Sequence, residues 1–349
     1  MISAVLQTSF LGDMVLTTPL IERLAREGRV HVVATPANAA LLANHPAVAQ
    51  VLVYDKRGAD RGLGGLLRVA RALRRTGAQR ALLAQGSWRT AALARLAGIP
   101  ERIGFETSAG RPFYTRRIPY RRDLHHAARL WQLANAPGDA AAPPRAAMRP
   151  ALFPGAPEGA AVDTLLAAAG MARGGPLIAL APGSAWATKR WPYFPALAMA
   201  LLGRLPETAR LVIVGAAADR PLADAIRTAA ATRSLKDRIV DATGQLPLLA
   251  SAALIGRCAV LVSNDSAPVH LASAMGTPTV ALFGPTTPAL GFGPLAPRAL
   301  ALDESTLPCR PCHAHGPASC PLVHWRCMRQ LDVTRVAEAV LAACPGSDH

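Results

Sequence analysis

The chain is poor in lysine. Lys56, Lys189 and Lys236 are its only three, and arginine carries the rest of its positive charge. A lysine kept against that bias points to a role needing a compact point charge. Lys189 sits in a segment bearing glycine and tryptophan and carries that expectation, whereas Lys56 and Lys236 read as surface residues. No apolar run reaches the roughly 18 residues that a bilayer-spanning helix needs. The opening residues, Met1-Ile2-Ser3-Ala4-Val5-Leu6, lack the basic stretch of a signal peptide, and Asp13 falls where its apolar core would continue. The expectation is a cytoplasmic protein. No Asp-x-Asp occurs, so a diphosphate held by a carboxylate-bound metal is not indicated. The glycine-bearing fragments 62–65 and 291–293 do not match a dinucleotide fingerprint.

What is present fits a globular chain of two domains: 349 residues, 51% hydrophobic and 17% charged. The formal net charge of +16 is unevenly spread. Residues 1–150 hold 22 Lys and Arg against nine Asp and Glu, and residues 151–349 hold 16 against 13. The densest basic stretch runs from Arg111 to Arg122 and includes Arg116, Arg117 and Arg121. Either the N-terminal half has an anionic partner (a phosphorylated lipid, a membrane surface or nucleic acid), or these arginines form a solvated face.

Strand and helix patterns alternate. In the first half, strands fit 4–7, 30–34, 51–54 and 80–85, and helices fit 66–75 and 90–96. Residues 134–157 collapse into Ala, Pro and Gly, which is linker chemistry. A helical patch at 162–169 follows, and alternation then resumes from 177 to 283. The reading is an α/β chain of two Rossmann-like halves with parallel sheets, 1–170 and 171–349, without close sequence repetition between them.

Four segments carry candidate chemistry. Thr8-Ser9-Phe10-Leu11-Gly12-Asp13 leaves the first strand at its carboxyl end. Gly12 allows close approach of a ligand. Asp13 is either an N-cap or a general base, kept ionised by the helix N-terminus. Pro182-Gly183-Ser184 through Thr188-Lys189-Arg190-Trp191 follows the 177–181 strand. Gly183 and Ser184 offer amides and a hydroxyl to phosphate, and Lys189 can neutralise a departing pyrophosphate. The alternative is a surface loop anchored by Trp186 and Trp191. Ser263-Asn264-Asp265-Ser266-Ala267-Pro268 lies between a strand and a helix, where open α/β sheets bind ligands. His270 follows one turn on, as a positioning or packing residue.

The fourth segment is Cys309-x2-Cys312-x7-Cys320-x6-Cys327. Four cysteines so close in a cytoplasmic-looking chain favour a structural zinc or iron site over disulfides. Reduced thiols or a redox pair are the alternatives. His313, His315 and His324 are spare ligands.

Together these segments resemble glycosyltransferase family 9, the ADP-heptose:lipopolysaccharide heptosyltransferases. The resemblance rests on Ser9–Asp13 with Thr18-Pro19, Pro182–Ser184 with Lys189–Pro192, and Ser263–Pro268 with His270 and Phe283-Gly284-Pro285-Thr286, in that order. The tail from Cys309 to Met328 is similar to the heptosyltransferase II branch. The resemblance implies a GT-B fold with sheets facing a central cleft, an N-terminal acceptor domain and a C-terminal ADP-sugar domain. It implies inverting transfer without a catalytic metal or other cofactor. Asp13 would take the acceptor proton and Lys189 would hold the ADP phosphates, with Ser184 and Thr188 nearby. Asp265 and the amides of Ser266 and Ala267 would fix the donor. Asp219 would contact ribose, and Thr243-Gly244-Gln245 would wall the adenine. Gly12, Arg116, Arg117 and Arg121 would face the acceptor.

The implied partners are ADP-heptose, a phosphorylated lipid A core and the cytoplasmic surface of the inner membrane, with no nucleic acid. Ala267 departs from the glycine often found there in the family. Other readings are a family 9 enzyme with a different sugar or a protein acceptor, a nucleotide-sugar epimerase of the same fold, and a metal-containing nucleic-acid-binding protein. The last would want aromatics interleaved with the arginine run; Tyr114 and Tyr120 are there but build no evident stacking platform.

Overall fold

Short runs of Val, Ile, Leu and Ala, bounded by Gly, Pro or polar residues, form strands buried on both faces. The computed structural model describes residues 1–171 and 175–344. The first six strands are β1 (Ile2–Gln7), β2 (Arg29–Ala34), β3 (Gln50–Val53), β4 (Arg80–Leu83), β5 (Glu101–Phe105) and β6 (Arg116–Ile118). The next six are β7 (Leu177–Ala181), β8 (Arg210–Ile213), β9 (Ile239–Asp241), β10 (Val260–Asn264), β11 (Thr279–Phe283) and β12 (Ala299–Asp303).

The strand orders are β3-β2-β1-β4-β5-β6 and β12-β11-β10-β7-β8-β9, and every neighbouring pair is parallel. Counted within its own half, each sheet has the same Rossmann order. The order reverses between β1 and β4 in one and between β7 and β10 in the other. A ligand crevice opens at such a switch point, beyond the carboxyl ends of the strands. This is the two-Rossmann-domain architecture of a GT-B fold.

In the first unit, Leu66, Val69 and Leu73 of the helix Gly62–Arg75 share a core with Leu93 and Ala94 of the helix Trp88–Leu96 and with Leu6 and Leu83 of the sheet. The helices Leu11–Ala25 and His126–Gln132 pack against each other. In the second unit, Leu180, Leu211, Val262 and Leu282 meet Leu197, Ile226 and Val336 from three helices. No helix among the described residues is long and apolar enough to cross a membrane.

Two differences from the sequence reading have physical causes. The compact units divide at Phe153 and Pro154, inside the Ala/Pro-rich stretch, and not at 170. The helix Ala156–Ala168 buries Val162 and joins the second unit, where Asp163 Oδ1 meets Arg257 Nη1 at 2.6 Å. The strands β5, β6 and β12 were not anticipated. Both β6 and β12 are sheet edges: β6 has only partly buried or exposed side chains and two arginines, and β12 buries Leu302 alone.

Candidate active site

The segments 182–191 and 263–268, separate in sequence, come together at the β7/β10 switch point. Asn264, fully buried at the end of β10, joins them. Its Oδ1 accepts from Trp191 N at 3.0 Å and its Nδ2 donates to Pro182 O at 2.8 Å. Ser266 Oγ donates to Gly183 O at 3.3 Å. Trp191 is buried, donates through Nε1 to Leu331 O at 3.1 Å, and meets Phe194 edge-on. The loop is therefore held by two buried anchors and carries its polar groups on a fixed frame.

Within that frame Lys189 Nζ lies 2.6 Å from Asp265 Oδ2, with both side chains about one-tenth exposed. Thr286 Oγ1 donates to the same carboxylate oxygen at 2.7 Å. Thr286 follows β11, so the ends of three strands converge on Asp265. An ammonium, a carboxylate and a hydroxyl in a mostly dry crevice can bind a phosphorylated sugar and neutralise charge on a departing phosphate. Ser266 is the N-cap residue of the helix Ala267–Met275, so the Ala267 amide lies in its first turn; His270 is buried in the same helix.

Asp219 reaches this site as well. Ala216 N donates to its Oδ2 at 2.9 Å. Its carboxylate lies so close over Gly183 that a Cβ there would stand 2.4 Å from it. Gly183 is thus required for close approach rather than for an unusual backbone angle. Thr243 and Gly244 lie alongside, with Gly244 N donating to Gly215 O at 2.9 Å. The Thr243 hydroxyl donates to Asp241 Oδ1 at 2.6 Å and its side chain is fully buried.

The cysteine segment closes over this site, although nothing in the sequence reading tied it to the chemistry. Thr188 Oγ1 donates to Pro317 O at 2.7 Å. Gly316, at φ +92°, sits against the Lys189 side chain. Arg310 fastens the segment to the carbonyls of Gly284, Glu304 (2.7 Å) and Thr286 (2.9 Å), and to Asp303 Oδ2 (3.0 Å). Cys309, Cys312, Cys320 and Cys327 carry free thiols, Cys327 buried and the other three partly exposed. Burial, chiefly, pushes the Cys327 thiol up to about 11. Burial also opposes ionisation of Cys320, but amide hydrogen bonds from Trp325, Leu322, His324 and Val323 outweigh it and hold that thiol below its ordinary value. No three His, Cys, Asp or Glu side chains among the described residues are gathered as a metal ion would need. Cys312 instead donates to Cys309 O at 3.0 Å.

At the β1/β4 switch point of the first unit, Asp13 lies in the first turn of the helix Leu11–Ala25, and the N-cap is Phe10. Asp13 is therefore not that helix's N-cap residue. His126 Nε2 stands 3.8 Å from Asp13 Oδ1, and both side chains are under a fifth exposed. The sequence reading did not single out His126. The two helices are pinned by Arg23, which stacks on Trp131 at 3.5 Å and donates to Asn135 Oδ1 at 2.6 Å.

Lys56, read from the sequence as a surface residue, lies at this switch point. Its Nζ donates to Thr8 O at 2.7 Å, beside Gln85 at the end of β4. Burial lowers its pKa first, and the neighbouring Arg57 and Arg89 lower it further. Through its bond to Thr8, Lys56 meets the loop that leads from β1 into the Asp13 helix. The expected acceptor arginines are more committed. Arg116 donates to Asn135 O at 2.6 Å and lies 3.3 Å from Glu101. Arg121 forms a two-point pair with Asp123. Arg117 is exposed on the edge strand β6.

The sequence model of glycosyltransferase family 9 (heptosyltransferase) matches residues 66–320. The lipooligosaccharide heptosyltransferase 2 of Haemophilus influenzae is 32% identical over 114 residues, 32% of this chain and 32% of its own. The lipopolysaccharide heptosyltransferase 2 of Salmonella typhimurium is 34% identical over 116 residues, 32% of this chain and 33% of its own. The chain thus aligns with about a third of the length of these relatives. The lipopolysaccharide heptosyltransferase 1 of Pseudomonas aeruginosa is 28% identical over 88% of this chain and 84% of its own. Among solved structures, the Escherichia coli ADP-heptose lipopolysaccharide heptosyltransferase II is similar with a TM-score of 0.81 and 23% identity, over 98% of both chains. A family 9 glycosyltransferase from Veillonella parvula gives a TM-score of 0.82 at 23% identity, over 98% of this chain and 96% of its own. At that identity the structural likeness establishes the fold alone, and the match over residues 66–320 establishes the family: the chain belongs to glycosyltransferase family 9.

Proposed function

We propose that this enzyme transfers a heptose from ADP-L-glycero-D-manno-heptose to the phosphorylated inner core of lipopolysaccharide. It acts with inversion and without a catalytic metal, as a heptosyltransferase II, at the cytoplasmic face of the inner membrane. The observation that carries the donor half is the Lys189–Asp265–Thr286 cluster beside Gly183, Ser184 and Asp219. The relatives' names support the choice of sugar.

In this reading the acceptor hydroxyl oxygen attacks the anomeric carbon. Asp13 takes the hydroxyl proton as that bond forms, and His126 orients its carboxylate. The bond from the anomeric carbon to the β-phosphate oxygen breaks, and ADP departs with the electron pair. Lys189 neutralises the phosphate, aided by Ser184 and Thr188. Asp265 and Asp219 position the sugar and ribose, with the amides of Ser266 and Ala267. Lys56, Arg57 and Arg89, together with Arg117, meet acceptor phosphate. A structural zinc or iron on Cys309, Cys312, Cys320 and Cys327 would require these thiols to draw together from the arrangement described above; one equivalent of metal in the purified protein would support this, and none would remove it.

The test is a transfer assay read by mass spectrometry, with ADP-L-glycero-D-manno-heptose and a heptose-primed Kdo2-lipid A. A gain of one heptose with the native chain, lost in Asp13→Asn while ADP still binds, supports the reaction and the base. Turnover of the donor without acceptor would favour an epimerase instead. ADP binding without transfer would move the search to other sugars or acceptors.

A further inference from the structure

Residues 61–100 contain eight arginines and no acidic residue. They include the helices Gly62–Arg75 and Trp88–Leu96, which bury Leu66, Val69, Leu73, Leu93 and Ala94 against the first sheet. Their outward sides are not simply polar. Leu63 is 77% exposed, Trp88 56%, and Leu67 and Leu96 40% each. Leu63 and Leu67 are one helical turn apart, and Arg68, Arg71 and Arg75 are exposed on the same helix. Arg89 lies 5.9 Å from the Trp88 ring. The two helices are joined side by side where Arg74 donates to Leu96 O at 2.7 Å and Ala97 O at 3.2 Å. Both begin at the carboxyl edge of the sheet, the edge that carries Phe10 (62% exposed) and Asp13.

We propose that the outward face of these two helices is the surface on which the protein lies against a bilayer of anionic phospholipid. Exposed leucines and a tryptophan interleaved with arginines match the apolar boundary and negative headgroups of such a bilayer. Four large apolar side chains in the open are poorly suited to solvent alone. Nucleic acid would supply the charge complementarity but no environment for Leu63, Leu67 and Leu96. A protein resting on this face presents the Asp13 edge beside the membrane, where a lipid-anchored acceptor hydroxyl would arrive. That last step rests on the transferase reading; the docking does not.

The test is co-sedimentation of the full chain with vesicles of phosphatidylcholine alone and with 30% phosphatidylglycerol, at about 0.1 M salt. Binding is expected only to the anionic vesicles, and it should fall as salt rises. Leu63→Glu/Leu67→Glu and Arg71→Glu/Arg75→Glu should each lower it by about tenfold or more. Arg204→Glu/Arg233→Glu, a charge change of equal size in the second unit, should leave it intact. Thermal melts of all variants separate lost docking from lost folding. Transfer to a deacylated, water-soluble acceptor is measured in parallel and is expected to survive the helix-face variants. Loss of that transfer in the native chain, with vesicle binding preserved, would sink the acceptor reading and spare the docking. Equal binding by native chain and helix-face variants, no binding to anionic vesicles, or capture of RNA by this face in place of vesicles would overturn the docking.

Discussion

Lys189 Nζ and Thr286 Oγ1 share one oxygen of Asp265, at 2.6 and 2.7 Å. A cation suited to phosphate is thus set in place by an internal carboxylate, and each group depends on the others for its position. Replacing Lys189 with Met would leave the Asp265 carboxylate buried with a hydroxyl and no counter-charge. The cost expected is about 3 kcal/mol of stability, as for a buried pair that loses one member. ADP affinity should also fall by at least about tenfold. Calorimetric titration with ADP beside a urea melt measures both; an unchanged affinity would remove Lys189 from the donor site.

His126 gives a second prediction. Its ring nitrogen stands 3.8 Å from Asp13 and the helix bearing it is clamped to the Asp13 helix through Arg23 and Trp131. With His126→Gln, kcat should fall about tenfold while the KM for the donor stays unchanged, because the effect passes through Asp13. A change confined to donor KM would contradict this assignment.

Burial made strands legible where an apolar run is unbroken, and β5 was opaque because Arg102 and Gly104 interrupt its buried Ile103 and Phe105. The strand expected at 177–181 is β7, buried at every residue, because a short apolar run has few other uses. β6 is a three-residue edge strand with two arginines, which periodicity cannot distinguish from a basic loop. The scarcity of lysine was a usable signal carried only halfway. It singled out Lys189 but not Lys56, and these two meet the strand-end loops at the two switch points. Asn264 shows another limit. Its role is to bond Pro182 and Trp191, residues more than seventy positions away, and no local pattern announces that. The cysteine segment was read for its thiols, whereas the residues that touch the site are Gly316 and Pro317 between them.

Gly183 yields a third prediction. A methyl group there would stand 2.4 Å from the Asp219 carboxylate, which is held in turn by Ala216 N. Gly183→Ala should push Asp219 out of place with little loss of stability, since only a side-chain end must move. Donor KM should rise about tenfold or more, and Asp219→Ala should add little on top of it in the double variant. Fully additive effects would separate the two residues.

Gly316 supports a fourth. It holds φ +92° and a Cβ there would lie 3.0 Å from Lys189 Cε. Gly316→Ala should cost about 1 kcal/mol in backbone strain and weaken ADP binding several-fold by displacing Lys189. Native ADP affinity in this variant would show that the cysteine segment does not position the lysine.

His45 connects pH to the stability of the first unit. The side chain is buried and meets Phe153 edge-on at 4.9 Å; its Nδ1 accepts from Ala47 N at 3.3 Å. Burial lowers its pKa from 6.5 to about 4. Above pH 6.5 both folded and unfolded chains carry a neutral ring, and the group adds no pH dependence. Between pH 6.5 and 4 the unfolded chain binds a proton that the folded chain refuses, so stability falls as pH falls. Below 4 both forms are protonated and the loss is complete. A shift of that size is worth about 3 kcal/mol. Carboxylates also titrate in this window, so the informative quantity is a difference between proteins. In His45→Asn the side-chain carbonyl can still accept from Ala47 N, but nothing at that position titrates. Urea melts at pH 7 and pH 4.5 should show a smaller acid loss for this variant than for the native chain, by about 2 kcal/mol. Parallel curves for the two proteins would mean that another group drives the acid sensitivity.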